Sequence, residues 1–95
     1  MEDFKQELKK QWYAIYPFSD MSIDDNRFLN ARDINVRMLY RGVKIRVGSC
    51  MVTNEMLEKE DITYLVEETI RLLQQAMTKE ILEVILWQKQ NLKHL

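Results

Sequence analysis

The chain offers few side chains that can act as a nucleophile or a general base. Its only histidine, His94, is the penultimate residue, and chain ends fray, so an imidazole there is poorly held for catalysis. The one cysteine, Cys50, stands beside Met51 and Val52 in a segment of strand-like composition, which predicts a small buried hydrophobe. No imidazole lies near it in the sequence to activate the thiol. We therefore predict that the protein has no catalytic residues and is not an enzyme.

Acidic side chains between residues 20 and 26 superficially match the spacing of a calcium-binding loop. Asp25, however, occupies the position that requires glycine, and Ala31 occupies that of the closing glutamate. Helix capping accounts better for these acids, with Ser22 as the N-cap and Asp24 and Asp25 in the first turn. Because the chain also lacks a glycine-rich phosphate loop and any histidine or cysteine pair, we predict neither a metal nor a cofactor.

Basic side chains are concentrated in the middle of the chain. Residues 32–48 hold five basic side chains and one acidic one, whereas 1–31 hold four and six, and 49–95 hold five and eight. The candidate nucleic-acid contacts within this basic strip are Arg37, Arg41, Lys44 and Arg46, with Arg32 just before the predicted first strand. A basic hairpin can bind phosphates and base edges. The alternatives are a solvated sheet face, or one that is matched to an acidic protein partner or to a second copy of this bipolar chain.

Helical spacing marks the amino-terminal segment. Its apolar residues recur every three or four positions, at Phe4, Leu8, Trp12 and Ile15. This pattern predicts a helix over residues 3–16, which Pro17 ends because proline cannot donate a hydrogen bond into the helical ladder. With Ser22 as its N-cap, a short second helix is predicted over 23–30.

The apolar period changes from 3.6 to 2 at residue 34, which predicts an antiparallel β-hairpin. One face would carry Ile34, Val36, Met38, Tyr40, Val43, Ile45 and Val47. With Arg41 and Gly42 as a two-residue turn, Tyr40 lies opposite Val43, although arginine is not favoured in a type I′ turn and a longer loop is the alternative. Gly48 is expected to end the second strand, and residues 49–53 to form a short third one. Helices must cover the apolar face, because an isolated ribbon is marginally stable.

The carboxyl-terminal third, from Asp61 to Leu92, is predicted to be helical, either as one long helix or as two in tandem with a break near Thr78. Residues 62–77 form a single apolar stripe. The rest of the segment is apolar on almost every side, and a continuous helix would measure about 48 Å, against a domain diameter of roughly 32 Å. We therefore predict a partner interface that consists of Ile81, Leu82, Ile85, Leu86 and Trp87. A buried strand over 81–87 is the alternative.

These elements predict one small α+β domain over residues 1–95, in which 79–95 either project as an interaction helix or fold back on the hairpin. The order of helix, strands and helix resembles the double-stranded RNA-binding domain. The Gly- and Lys-rich start of that family's last helix has no counterpart here, and the acidic segment 54–61 would repel phosphate. We therefore do not assign the chain to that family.

The function predicted from the sequence is a non-enzymatic protein-protein interaction module or small assembly subunit. It would self-associate as a homo-oligomer or dock on a larger protein through the carboxyl-terminal helix, and a viral or phage-encoded inhibitor or structural component fits equally well. Nucleic-acid binding through the basic hairpin is the alternative. The polar, acidic amino terminus and the absence of an apolar run of about 20 residues argue against export and membrane insertion. The single cysteine excludes an intramolecular disulfide, so we expect a cytoplasmic location.

Overall fold

The computed structural model describes residues 2–76 together with residues 86, 87, 89 and 90, which are helical. In chain order, the elements are α1 (Glu2–Ile15), β1 (Ser19–Asn26), β2 (Ala31–Tyr40), β3 (Val43–Thr53), α2 (Asn54–Lys59) and α3 (Ile62–Gln75). The three strands form one antiparallel sheet in the order β1-β2-β3. Helices α1 and α3 share one hydrophobic core with one face of this sheet. The predicted α+β class, with an amino-terminal helix, an antiparallel sheet and a helix after it, is confirmed.

The predicted short helix over residues 23–30 is wrong. Most of this segment belongs to the edge strand β1, and residues 27–30 form the turn into β2. Met21 pairs with Val36 and Ile23 with Ile34, which places both apolar side chains toward the helices. Burial of these side chains therefore outweighs the local capping preference of the acids around them.

The β2–β3 hairpin has the predicted two-residue turn. Arg41 and Gly42 both have positive φ angles, 53° and 83°, and Tyr40 lies opposite Val43. Such angles match the right-handed twist of the flanking strands. The alternative of a longer loop is therefore wrong.

The prediction that Gly48 ends the second strand of the hairpin is wrong, because β3 continues through Gly48 to Thr53. A bulge opposite Val36 and Arg37 adds one residue to β3, so that Val47 and Gly48 are both buried. A Cβ atom at Gly48 would lie 3.2 Å from the carbonyl oxygen of Leu73 in α3. The glycine therefore allows α3 to approach the sheet closely.

Helix α1 spans Glu2–Ile15, close to the predicted 3–16, and buries Phe4, Leu8 and Trp12. Ile15, the fourth member of the predicted stripe, is instead 46% exposed. The Trp12 indole Nε1 donates a hydrogen bond of 2.9 Å to Ser19 Oγ at the start of β1. The end of α1 is thereby fixed to the sheet.

The acidic segment before α3 forms a helix of its own, α2, whose N-cap is Thr53. Asp61 caps α3 by accepting a hydrogen bond from the Tyr64 amide. Helix α3 ends at Gln75 with Ala76 as C-cap, and it buries Leu65, Val66, Thr69, Ile70 and Leu73. Thr78, where the sequence suggested a break, lies outside the described residues.

Candidate functional site

The end of the sheet at the β2–β3 turn is less completely buried than the middle of the sheet. Ala76, at the end of α3, lines the same surface depression as Val47 and Gly48 of β3, which lie several residues from the turn. On the helix side of the hairpin, Tyr40 is half-buried and packs against the hydrophobic core, whereas Val43, opposite it beside the turn, is exposed.

A carboxyl-terminal aromatic residue packs at this end of the hairpin. The Trp87 and Tyr40 ring centroids are 5.7 Å apart, and the rings meet edge to face at 83°, a favourable geometry for an aromatic pair. Leu86 remains 58% exposed and Val43 59% exposed. We call Tyr40, Val43, Leu86 and Trp87 the hairpin-end patch.

Two of the five residues predicted as partner anchors, Leu86 and Trp87, belong to this patch. Ile81, Leu82 and Ile85 lie outside the described residues. The patch also includes Tyr40 and Val43, which the sequence suggested only as core residues of the hairpin. Tyr40 does pack against the core, but Val43 is exposed, and the alternation along the strand gave no signal of that difference.

The basic strip lies mainly on the open face of the sheet, away from the helices. Arg37, Lys44 and Arg46 are exposed there, and Arg37 is directly opposite Arg46 in the strand register. Arg46 Nη1 lies 3.5 Å from the Asn35 carbonyl oxygen Oδ1, and Lys44 Nζ lies 3.5 Å from Asp20 Oδ2. The structure thus brings three of the five basic residues of the strip together.

The two remaining basic residues lie elsewhere. The Arg41 guanidinium carbon is 5.2 Å from the centroid of the Tyr40 ring, so this side chain borders the hairpin-end patch. Arg32 was expected just before the first strand of the hairpin. It lies within β2 instead, on the helix side, and forms an ion pair with Asp25.

The open face also carries acidic side chains. By the alternation along the strands, Asp20 and Asp24 of β1 and Asp33 of β2 share this face with the basic strip. Asp20 is aligned with Arg37, whereas Asp24 and Asp33 pair with each other near the β1–β2 turn. The sign of the charge therefore changes along the sheet, from basic at the hairpin end to acidic at the other end.

The β1–β2 turn at that acidic end exposes two large apolar side chains. Phe28 is fully exposed and Leu29 is 58% exposed. The turn is nevertheless well held, because the Leu29 amide donates to Asn26 Oδ1 and the Asn54 amide donates to the Asn30 carbonyl at 2.9 Å. This feature was not predicted, because Phe28 and Leu29 were placed in a helix.

The described residues offer little for nucleophilic or metal chemistry. Cys50 is half-buried, and burial raises the pKa of its thiol to about 11, which keeps it protonated and a weak nucleophile at neutral pH. No group of three or more histidine, cysteine, aspartate or glutamate side chains that could hold a metal ion occurs in the described part of the chain. His94 lies outside it. Within the same part, no helix is both long and apolar enough to cross a membrane.

Comparison with known proteins assigns no family. No protein-family model matches the chain, and neither the curated proteins nor the solved structures include one with significant similarity to it.

Proposed function

We propose that this protein is a non-enzymatic interaction module that associates with itself through the hairpin-end patch. The observation that carries the proposal is the exposure of two aliphatic side chains next to the aromatic pair of Tyr40 and Trp87. Val43 pairs with Tyr40 in the strand register, and Leu86 precedes Trp87 in the chain. A cluster of this kind is typical of protein interfaces, in which aromatic residues and arginine are enriched. Arg41 supplies the charged border.

The exposed apolar area of the patch favours association. Complete burial of one valine or leucine side chain contributes about 1.5–3 kcal/mol. Val43 and Leu86 are each more than half exposed, so a partner that covers both recovers a large part of that free energy. The aromatic rings beside them provide rigid contact area at a low cost in conformational entropy.

Sedimentation equilibrium over a range of protein concentrations tests the proposal. We expect Val43→Glu and Leu86→Glu each to weaken self-association at least about 30-fold, the effect of losing an interface hot spot. Met51→Glu is the matched control, because Met51 is an exposed apolar residue on the open face of the sheet. Association that is unchanged in both patch variants would contradict the proposal.

A heterologous protein is the other partner that the patch could accommodate, as in a small assembly subunit or a phage-encoded inhibitor in the cytoplasm of a host cell. A wild-type chain that remains monomeric, but captures a partner from its native source in a patch-dependent way, would favour this form. The change of charge along the sheet, from basic to acidic, instead favours self-association, because one copy then carries both complementary surfaces.

Nucleic-acid binding is the second candidate, and one observation favours it. Arg37 and Arg46 lie directly opposite each other on the open face, and like charges in this arrangement destabilise a sheet. A bound phosphate would relieve their repulsion. Replacing Arg37, Lys44 and Arg46 together with serine should then abolish retention of DNA or RNA at low ionic strength. No retention by the wild-type protein under those conditions would eliminate this candidate.

A further inference from the structure

The two ends of the sheet carry opposite charge. At the end with the β1–β2 turn and α2, the acids outnumber the bases Arg27, Arg32 and Lys59. These acids are Asp24, Asp25, Asp33, Glu55, Glu58, Glu60 and Asp61. The hairpin end holds Arg37, Arg41, Lys44 and Arg46, with Asp20 as the acid paired with Lys44. Strand β2 separates the two ends by about 30 Å at 3.3 Å per residue. They therefore cannot meet within one molecule.

The acidic end also presents an apolar projection. Phe28 is completely exposed and Leu29 more than half exposed, on a turn that is fixed to α2. The amide and the side chain of Asn54 both bond to Asn30, at 2.9 and 2.7 Å. Because the turn is already ordered, docking it into another surface costs little conformational entropy.

We infer that the β1–β2 turn of one copy docks on the hairpin-end patch of a second copy, head to tail. This inference rests on the proposed function and names the partner of the same patch. The Phe28 ring would pack against the aliphatic and aromatic side chains of the patch, and Leu29 would add to the buried area. The acidic side chains around the turn would face the basic hairpin end, and this charge complementarity fixes the orientation of the two copies.

The geometry of such an interface determines which assembly forms. The two surfaces in contact are different, so each copy in a pair keeps one free surface, either its turn or its patch. A head-to-tail contact therefore continues into a ring or an open chain. A contact of patch with patch would instead stop at a two-fold symmetric dimer.

A complementation experiment distinguishes these arrangements. Phe28→Asp removes the projection but keeps the patch, and Val43→Asp does the reverse. Each variant alone should remain monomeric in sedimentation velocity, with association weakened at least about 30-fold. An equimolar mixture should form a complex of one copy of each and grow no further, because its two remaining surfaces are both disabled. Met51→Asp should assemble like the wild type, and added salt should weaken assembly.

The outcomes separate this inference from the proposed function. If Phe28→Asp assembles like the wild type while Val43→Asp does not, the head-to-tail contact is refuted but the patch remains an interface. If the wild-type chain is monomeric throughout, self-association is refuted in both forms. Circular dichroism checks the fold of each variant, and Leu86→Glu replaces Val43→Asp if the latter does not fold.

Discussion

Replacing Gly48 with valine tests the close approach of α3 to the sheet. The first added carbon would lie 3.2 Å from the Leu73 carbonyl oxygen and 3.8 Å from its side-chain Cδ2 atom. The oxygen belongs to the backbone of a helix, so it cannot move without shifting α3. Valine adds two further carbons to this contact, and we expect the variant to fold with a displaced helix and a lower free energy of unfolding.

The expected loss of stability is the difference between two opposing effects. Overpacking of a well-packed core costs about 1–3 kcal/mol. Replacing a glycine inside a strand returns roughly 0.5–1 kcal/mol, because the unfolded chain loses conformational freedom. The difference between the midpoints of these ranges is a net destabilisation of about 1 kcal/mol, which lowers the melting temperature by about 4–8 °C in a domain of this size.

Urea unfolding detected by circular dichroism measures this change. Ser49→Val is the matched control, because Ser49 is the adjacent residue and is exposed on the open face of the sheet. Its free energy of unfolding should change by no more than about 0.5 kcal/mol. If Gly48→Val is as stable as the wild type, α3 does not pack against β3 at the described distance.

Three further predictions concern the cap, a buried hydrogen bond and the buried thiol. Asp61→Ala should lower the free energy of unfolding by about 0.5–2 kcal/mol through loss of the α3 N-cap, whereas the exposed Glu58→Ala should change urea unfolding little. Ser19→Ala should cost about 1–3 kcal/mol, because the completely buried Trp12 loses the acceptor of its indole N–H; a cost near zero would contradict that hydrogen bond. The folded-state pKa of Cys50 is raised from 9.0 to about 11. The protonated thiol therefore contributes its full stability below pH 9, and this contribution is lost as the pH rises to about 11. Cys50→Ala should reduce the loss of stability in this pH range. A pH profile of unfolding that is unchanged in the variant would contradict the raised pKa.

The parts of the fold that could be predicted from the sequence are those with a strong local pattern. The alternation from Ile34 to Val47 predicted both the strands and the register of the hairpin. A shift of one strand by one residue would turn all of its apolar side chains to the exposed face. The apolar stripe of α1 was likewise a local signal. The same register requires a two-residue turn, and Gly42 can adopt the positive φ angle that such a turn needs.

The parts that were mispredicted depend on contacts distant in sequence. Strand β1 is polar and short of β-branched residues, and it is a strand because Met21 and Ile23 pair with β2. Gly48 has the composition of a strand end, but it lies inside β3 because α3 packs closely over it. The same holds for the candidate site. Phe28 is exposed because its segment is a turn and not a helix, and Val43 is exposed although it continues the apolar alternation of the hairpin.

The weight-average mass of the wild-type protein as a function of its concentration tests the central claim most directly. The chain has a mass of 11.5 kDa. Self-association through the hairpin-end patch predicts a mass that rises above this value with concentration in sedimentation equilibrium, and a smaller rise for Val43→Glu at every concentration. A mass that stays at 11.5 kDa throughout, or one that rises equally in the variant, would contradict the claim.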